Sequence, residues 1–149
     1  MDNLLFEKIQ SDLKEAQLSR DELKVSTLRL LLSEVKNLEI NKGNPLSDQD
    51  IISIIQKEVK KRKEAVLGFR SGQREELAQK EESEAKILEN YLPEGLTGEE
   101  LTKIVESSIT EVGATTIAEM GKVMTNVMAK VAGRADGGTV SSLVKERLL

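Results

Sequence analysis

The sequence predicts an all-α protein built as two units, and three observations carry that expectation. Apolar residues recur at three- and four-residue spacing through most of the 149 positions, which is the period of one helix face. No segment alternates apolar and polar residues with a period of two, as a half-buried strand would. Phe6, Phe69 and Tyr91 are the only aromatics, so the core must be aliphatic, a composition that suits helix packed on helix.

From Asn3 to about Leu18, the residues Leu4, Leu5, Ile9, Leu13 and Ala16 share one face of a first helix. Ser19 and Asp21 offer acceptors to the free N–H groups of a second helix, which runs to about Ile40 on the stripe Val25, Leu28, Leu31, Leu32, Val35 and Leu38. Gly43, Asn44 and Pro45 break it, and Ser47 with Asp50 resembles a capping box for a third helix. There Ile52, Ile55, Val59, Val66 and Phe69 form the stripe, with Arg62 where another apolar residue belongs. Gly68 and Gly72 weaken the end of this helix, and Ser71 is placed to cap a fourth, whose buried side is marked by Leu77, Ala78, Ala85, Leu88 and Tyr91.

Pro93 and Gly95 stop the fourth helix, so the expected boundary separates an N-terminal four-helix unit, 1–92, from a C-terminal unit, 93–149. Thr97 and Glu100 form a second capping box. Three helices follow at about 98–112, 117–132 and 139–148, a small three-helix bundle with glycine as the left-handed C-caps. Thr116 with Glu119 and Asp136 with Thr139 supply the acceptors at the helix starts. Met120, Val123, Met124, Val127, Met128 and Val131 should form the buried face of the middle helix of the three, opposite Lys122, Asn126, Ala129 and Lys130.

The composition removes most familiar enzyme machinery. With no cysteine and no histidine there is no disulfide, thiol nucleophile, imidazole base or common zinc ligand set, and no cofactor or metal is expected. Charged Asp2, Glu7 and Lys8 near the start, and a longest apolar run of only Leu30 to Leu32, imply neither a signal peptide nor a membrane span, hence a cytoplasmic protein. A net charge of -4 argues against indiscriminate nucleic-acid binding but leaves room for a local basic patch.

Four clusters invite a functional reading. Gly121-Lys122 is followed by Val123 rather than Ser or Thr, so it is not a phosphate loop. The acidic run Glu75, Glu76, Glu81, Glu82, Glu84 and Glu89 lacks the histidines of a bundle di-metal site and reads as a solvated face pairing with Lys80 and Lys86 along its own helix. Lys57, Lys60, Lys61, Arg62, Lys63, Arg70 and Arg74, against Glu58 and Glu64, make the most basic stretch, and its five central cations spread around the helix instead of forming one phosphate-tracking stripe. A buried guanidinium requires a partner, so Arg62 and Arg74 are expected to reach Glu81 or Glu84 as a structural ion pair. In the C-terminal unit, Lys122, Lys130, Arg134 in the turn Gly133–Gly138, Lys145 and Arg147 are the candidate contacts to an RNA backbone.

Lys60-Lys61-Arg62-Lys63-Glu64-Ala65, Tyr91-Leu92-Pro93 leading into Leu96-Thr97-Gly98-Glu99-Glu100-Leu101, Glu111-Val112-Gly113-Ala114, Met120-Gly121-Lys122-Val123-Met124 and Gly133-Arg134-Ala135-Asp136-Gly137 occur in order along the chain. Together they resemble the YqeY-like (GatB/YqeY) family over the whole length. The resemblance implies a two-domain helical protein whose C-terminal part is similar to the tail domain of the GatB subunit of the tRNA-dependent amidotransferase. That tail is a helical appendage that contacts tRNA, while the amidation chemistry lies in portions with no counterpart here. Contact with tRNA would fall on Lys122, Lys130 and Arg134, and the family offers no catalytic residue that maps onto this chain.

The leading expectation is therefore a non-catalytic tRNA- or RNA-binding accessory protein. The alternative is a protein-interaction adaptor whose N-terminal helices offer an apolar groove to an amidotransferase subunit or another partner. Carbon–nitrogen ligase activity with glutamine as amido donor, the activity the family name implies, ranks third, because Ser, Lys and Glu alone form no recognisable nucleophile and base.

Overall fold

The computed structural model describes residues 4–149. Four helices make the first unit: α1 (Leu4–Ser19), α2 (Glu22–Lys42), α3 (Asp48–Ser71) and α4 (Glu75–Glu89). Three make the second: α5 (Gly98–Val112), α6 (Met120–Val131) and α7 (Gly137–Leu148), with a short 3-10 turn at Ile117–Glu119 before α6. There is no strand among the described residues, and the fold is all-α. The chain divides into the compact units Met1–Leu92 and Pro93–Leu149.

In the first unit Ile9, Leu28, Leu31, Val35, Ile51, Ile55, Val59 and Leu88 form one buried cluster, joined by Leu46 from the loop between α2 and α3. Each large aliphatic side chain fully withdrawn from water contributes about 1.5–3 kcal/mol, and this term offsets the entropy lost by ordering the helices. Two expected core residues are exposed, Leu4 at 71% and Leu77 at 40%, because each sits at an end of its helix where no neighbouring helix covers it, and Val25, Ile52 and Phe69 are only half-buried, outside the cluster. Local signals set the helix ends. Asp21 accepts from the Lys24 amide, and Ser47 and Asp50 form the reciprocal capping box at 3.2 and 3.1 Å. The Ser47 amide and the Lys42 ammonium hold the Asp50 carboxyl below the ordinary carboxylate range. The chain departs from expectation between α3 and α4. Ser71 ends α3 rather than capping α4, Gln73 takes the left-handed conformation at φ 60°, and Arg74 precedes α4 without a side-chain cap.

In the second unit Leu101, Val105, Val123, Val127, Val131, Val140, Val144 and Leu148 form a separate aliphatic core. The three valines of α6 are fully buried, whereas Met120, Met124 and Met128 pack along the edge of that core. β-branched valines at every fourth position leave a narrow stripe, and the longer methionines flank it. Asn126 is half-buried rather than on the solvent face, with Oδ1 enclosed. Thr97 and Glu100 form the second capping box, and the Asp136 carboxylate accepts from the Thr139 amide at 3.0 Å. Thr116 makes no side-chain cap. Gly113 supplies the left-handed C-cap of α5 at φ 77°, but α6 ends on Ala132 at φ 46°, with Gly133 also left-handed behind it.

Candidate nucleic-acid interface

The five cations singled out from the sequence sort into two sets, and helix geometry explains the split. On α6 the buried stripe runs through Val123, Val127 and Val131; on α7 it runs through Val140, Val144 and Leu148. At about 100° per residue, Lys130 and Arg147 each lie roughly 60° from the centre of their stripe, on its edge. From there both reach α5: Lys130 pairs with Glu111, and Arg147 Nη1 pairs with Glu106 at 2.8 Å. Lys122 lies roughly 140° and Lys145 roughly 100° from the stripe centres. Both are exposed and make no ion pair with a described residue. Arg134 stands in the turn between α6 and α7. Its Nε donates to the Glu94 carbonyl at 2.9 Å, and its own carbonyl accepts from the Leu96 amide at 2.9 Å. A guanidinium has five donors, so this brace leaves most of the group available to an anion.

Charge is segregated within the unit. Residues 93–149 hold six basic and eight acidic side chains, and five of those acids lie between Glu94 and Glu111, before or on α5. The part containing α6 and α7 keeps the basic excess. Glu100 is held below the ordinary carboxylate range chiefly by the Thr97 amide and hydroxyl, with Arg134 and Lys103 adding a smaller effect through space. As expected, Asp136 supplies an acceptor at the N-terminus of α7, so the chain's own carboxylate occupies ground that a phosphate would use. Any phosphate contact therefore rests on side chains more than on that helix start. The partners Glu106, Glu111 and Glu94 were invisible to sequence reasoning as partners; the usable signal was the position of Lys130 and Arg147 immediately before the last buried residue of each stripe.

The other candidate set lies in the first unit. Arg62 is buried, with Nε 3.4 Å from Glu84 and Nη1 3.9 Å from Glu81. Arg74 joins neither carboxylate: it precedes the first turn of α4, and Glu81 lies seven residues on, roughly 10 Å along the axis. Arg70 is the cation that crosses instead, to Glu75 at 3.0 Å and Glu82 at 3.2 Å, while Lys63 meets Glu89 at 3.2 Å. Five of the six acids of α4, all but Glu76, thus pair across to α3, and Lys80 and Lys86 make no ion pair with a described residue. Nearby, the Tyr91 hydroxyl donates to Asp12 at 2.6 Å under the Lys8 ammonium. Burial and the Asp12 charge push the Tyr91 phenol well above its ordinary range.

Among the described residues no three or more acidic side chains gather as metal ligands, and no helix is long and apolar enough to cross a membrane. Fold and site define the class as an all-helical protein of two compact units, each with its own aliphatic core and a charged surface. The family model described as "Yqey-like protein" matches residues 6–148, and the chain belongs to the YqeY-like family. It is similar to "Altered inheritance of mitochondria protein 41, mitochondrial" of Pyrenophora tritici-repentis, 31% identical over 97% of this chain and 81% of that one. A protein of the same name from Kluyveromyces lactis is 39% identical over 56% of this chain and 45% of its own length. An uncharacterized protein of Schizosaccharomyces pombe is 36% identical over 58% of this chain and 70% of its own. The matched segment thus spans less than half of the Kluyveromyces relative.

Proposed function

We propose that this YqeY-like protein is a non-catalytic accessory protein that binds tRNA or another structured RNA through the α6–α7 side of its second unit. The observation that carries the reading is the segregation of charge there. Lys122, Arg134 and Lys145 are exposed and outside every described ion pair, and most of the unit's acids lie before or on α5. Lysine and arginine at such positions give register and affinity on phosphates and little base reading, which suits recognition of a folded RNA by shape. The resemblance of residues 93–149 to the tail of the tRNA-dependent amidotransferase supports the same partner. Lys130 and Arg147 contribute less, because a phosphate that approaches either one also meets its carboxylate partner.

The reading places the protein in a compartment that holds tRNA. For this chain we take that to be the cytoplasm, while the names of the relatives say mitochondrial. Binding of fluorescently labelled tRNA to the full chain at low salt tests the function. Anisotropy should rise for the native protein and fall back for the Lys122→Ala, Arg134→Ala, Lys145→Ala triple variant. A native chain that leaves the anisotropy unchanged ends the RNA reading.

A further inference from the structure

The α1–α2 corner of the first unit carries a feature that the RNA reading does not use. A groove of about 690 Å³ lies there, lined by Gln17, Arg20, Val25, Arg29 and Leu30, with Glu22 as its one acid. Neither arginine makes an ion pair with a described residue, although the chain as a whole is acidic and most cations of α3 are matched by acids. Leu30, 48% exposed, lines this groove together with the two unmatched arginines. Arg20 is fixed by the backbone at φ 61°, in the tight turn that joins the two helices, so its origin is held and not left on a fraying end.

We infer that this groove docks an acidic amphipathic helix of a partner protein, with an apolar anchor on Val25 and Leu30 and flanking carboxylates on Arg20 and Arg29. Charge complementarity selects the occupant. Guanidiniums pair carboxylates in a bidentate fork, and the apolar Val25 and Leu30 that line the same groove suit the leucine face of a helix laid into it. A single-stranded nucleic acid fits less well, because its bases need a stacking platform and no aromatic side chain lines the groove. The inference does not depend on the RNA contact, which uses other residues in the other unit.

The test is a titration of the isotope-labelled full chain, followed by backbone amide spectra. The probe is a designed helical peptide with leucines along one face and glutamates on both flanks; a second peptide carries lysine for every glutamate, and a short oligouridylate serves as the nucleic-acid probe. The acidic peptide should shift the amides between Gln17 and Ser33. The lysine peptide should bind at least about tenfold more weakly. So should the acidic peptide to the Arg20→Glu, Arg29→Glu double variant, since each exposed pair is worth up to about fivefold and reversal adds repulsion. No shift of the groove amides, or equal affinity for the two peptides, overturns the inference. Shifts caused there by oligouridylate and not by the acidic peptide overturn it in favour of nucleic acid.

Discussion

Replacing Arg62 by Met tests the buried charge between α3 and α4. Arg62 and Glu84 are each 9% exposed, so the change strands a carboxylate that has little water to turn to. Removing one member of a buried pair costs about 3–5 kcal/mol in general. Here the lower end applies: Nε makes no hydrogen bond, the Glu84 contact is 3.4 Å, the Glu81 contact is 3.9 Å, and Glu81 keeps partial access to solvent. A loss of about 3 kcal/mol is a large share of the roughly 5–15 kcal/mol that holds a domain folded. With an m-value of about 1–2 kcal/mol/M, the urea midpoint should fall by roughly 2 M. Tyr91 is the only tyrosine and there is no tryptophan, so intrinsic fluorescence reports the first unit alone. Arg62→Met with Glu84→Leu should recover stability to within about 1 kcal/mol of the native chain, because a well-packed apolar pair avoids the desolvation cost. A single variant that loses less than about 1 kcal/mol, or a double variant no more stable than the single, refutes this account of Arg62.

Tyr91→Phe removes a hydrogen bond to a carboxylate and should cost about 1.5–3 kcal/mol in a urea series read by circular dichroism, since the variant has no fluorophore. Because the folded-state phenol lies above its unfolded value, the native chain carries this stability below the unfolded value and loses it as pH rises through the folded one; the variant should lack that alkaline loss. Gln73→Gly relieves a left-handed residue at φ 60° and should stabilise the first unit by about 0.5 kcal/mol, the gain in strain exceeding the added chain entropy, as seen in the urea midpoint. Thr97→Ala should cost the second unit about 1 kcal/mol in thermal unfolding. The depressed Glu100 carboxyl stabilises above its unfolded value and less as pH falls through its folded one, so Glu100→Gln should flatten the acid limb of that unit's stability curve.

The helix ends that were legible in the sequence were those set locally. Ser47 with Asp50 and Thr97 with Glu100 cap within one turn, and no distant residue is needed to make them work. Arg62 was legible as a charge needing a partner because α3 and α4 follow one another with a three-residue turn, which brings Glu84 within reach. Arg74 was misread for the same reason in reverse: the turn removed it from the helix face, and Arg70 took the cross-helix contact. Leu4 and Leu77 fit a stripe by spacing, but burial also needs a neighbour opposite, which spacing does not contain. The hardest part to read was the second unit's surface. Lys130 and Arg147 look as free as Lys122 and Lys145 until α5 is placed beside them, since Glu111 and Glu106 are distant in the chain. The groove between Arg20 and Arg29 was equally hidden, because it arises only when the end of α1 folds onto the outer face of α2.

The most direct test of the central claim is the salt dependence of tRNA binding, measured for the native chain and three variants. Three phosphate contacts predict a slope of log affinity against log salt of roughly -2 to -3. The triple change of Lys122, Arg134 and Lys145 to Ala should bring that slope close to zero. The charge-neutral removal of Lys130 with Glu111 and of Arg147 with Glu106 should leave it nearly unchanged, and so should Lys14, Lys80 and Lys86 to Ala, which alters net charge as much as the first triple. A slope that falls equally in all three variants, or that survives the first intact, would mean that the α6–α7 cations are not where RNA is held.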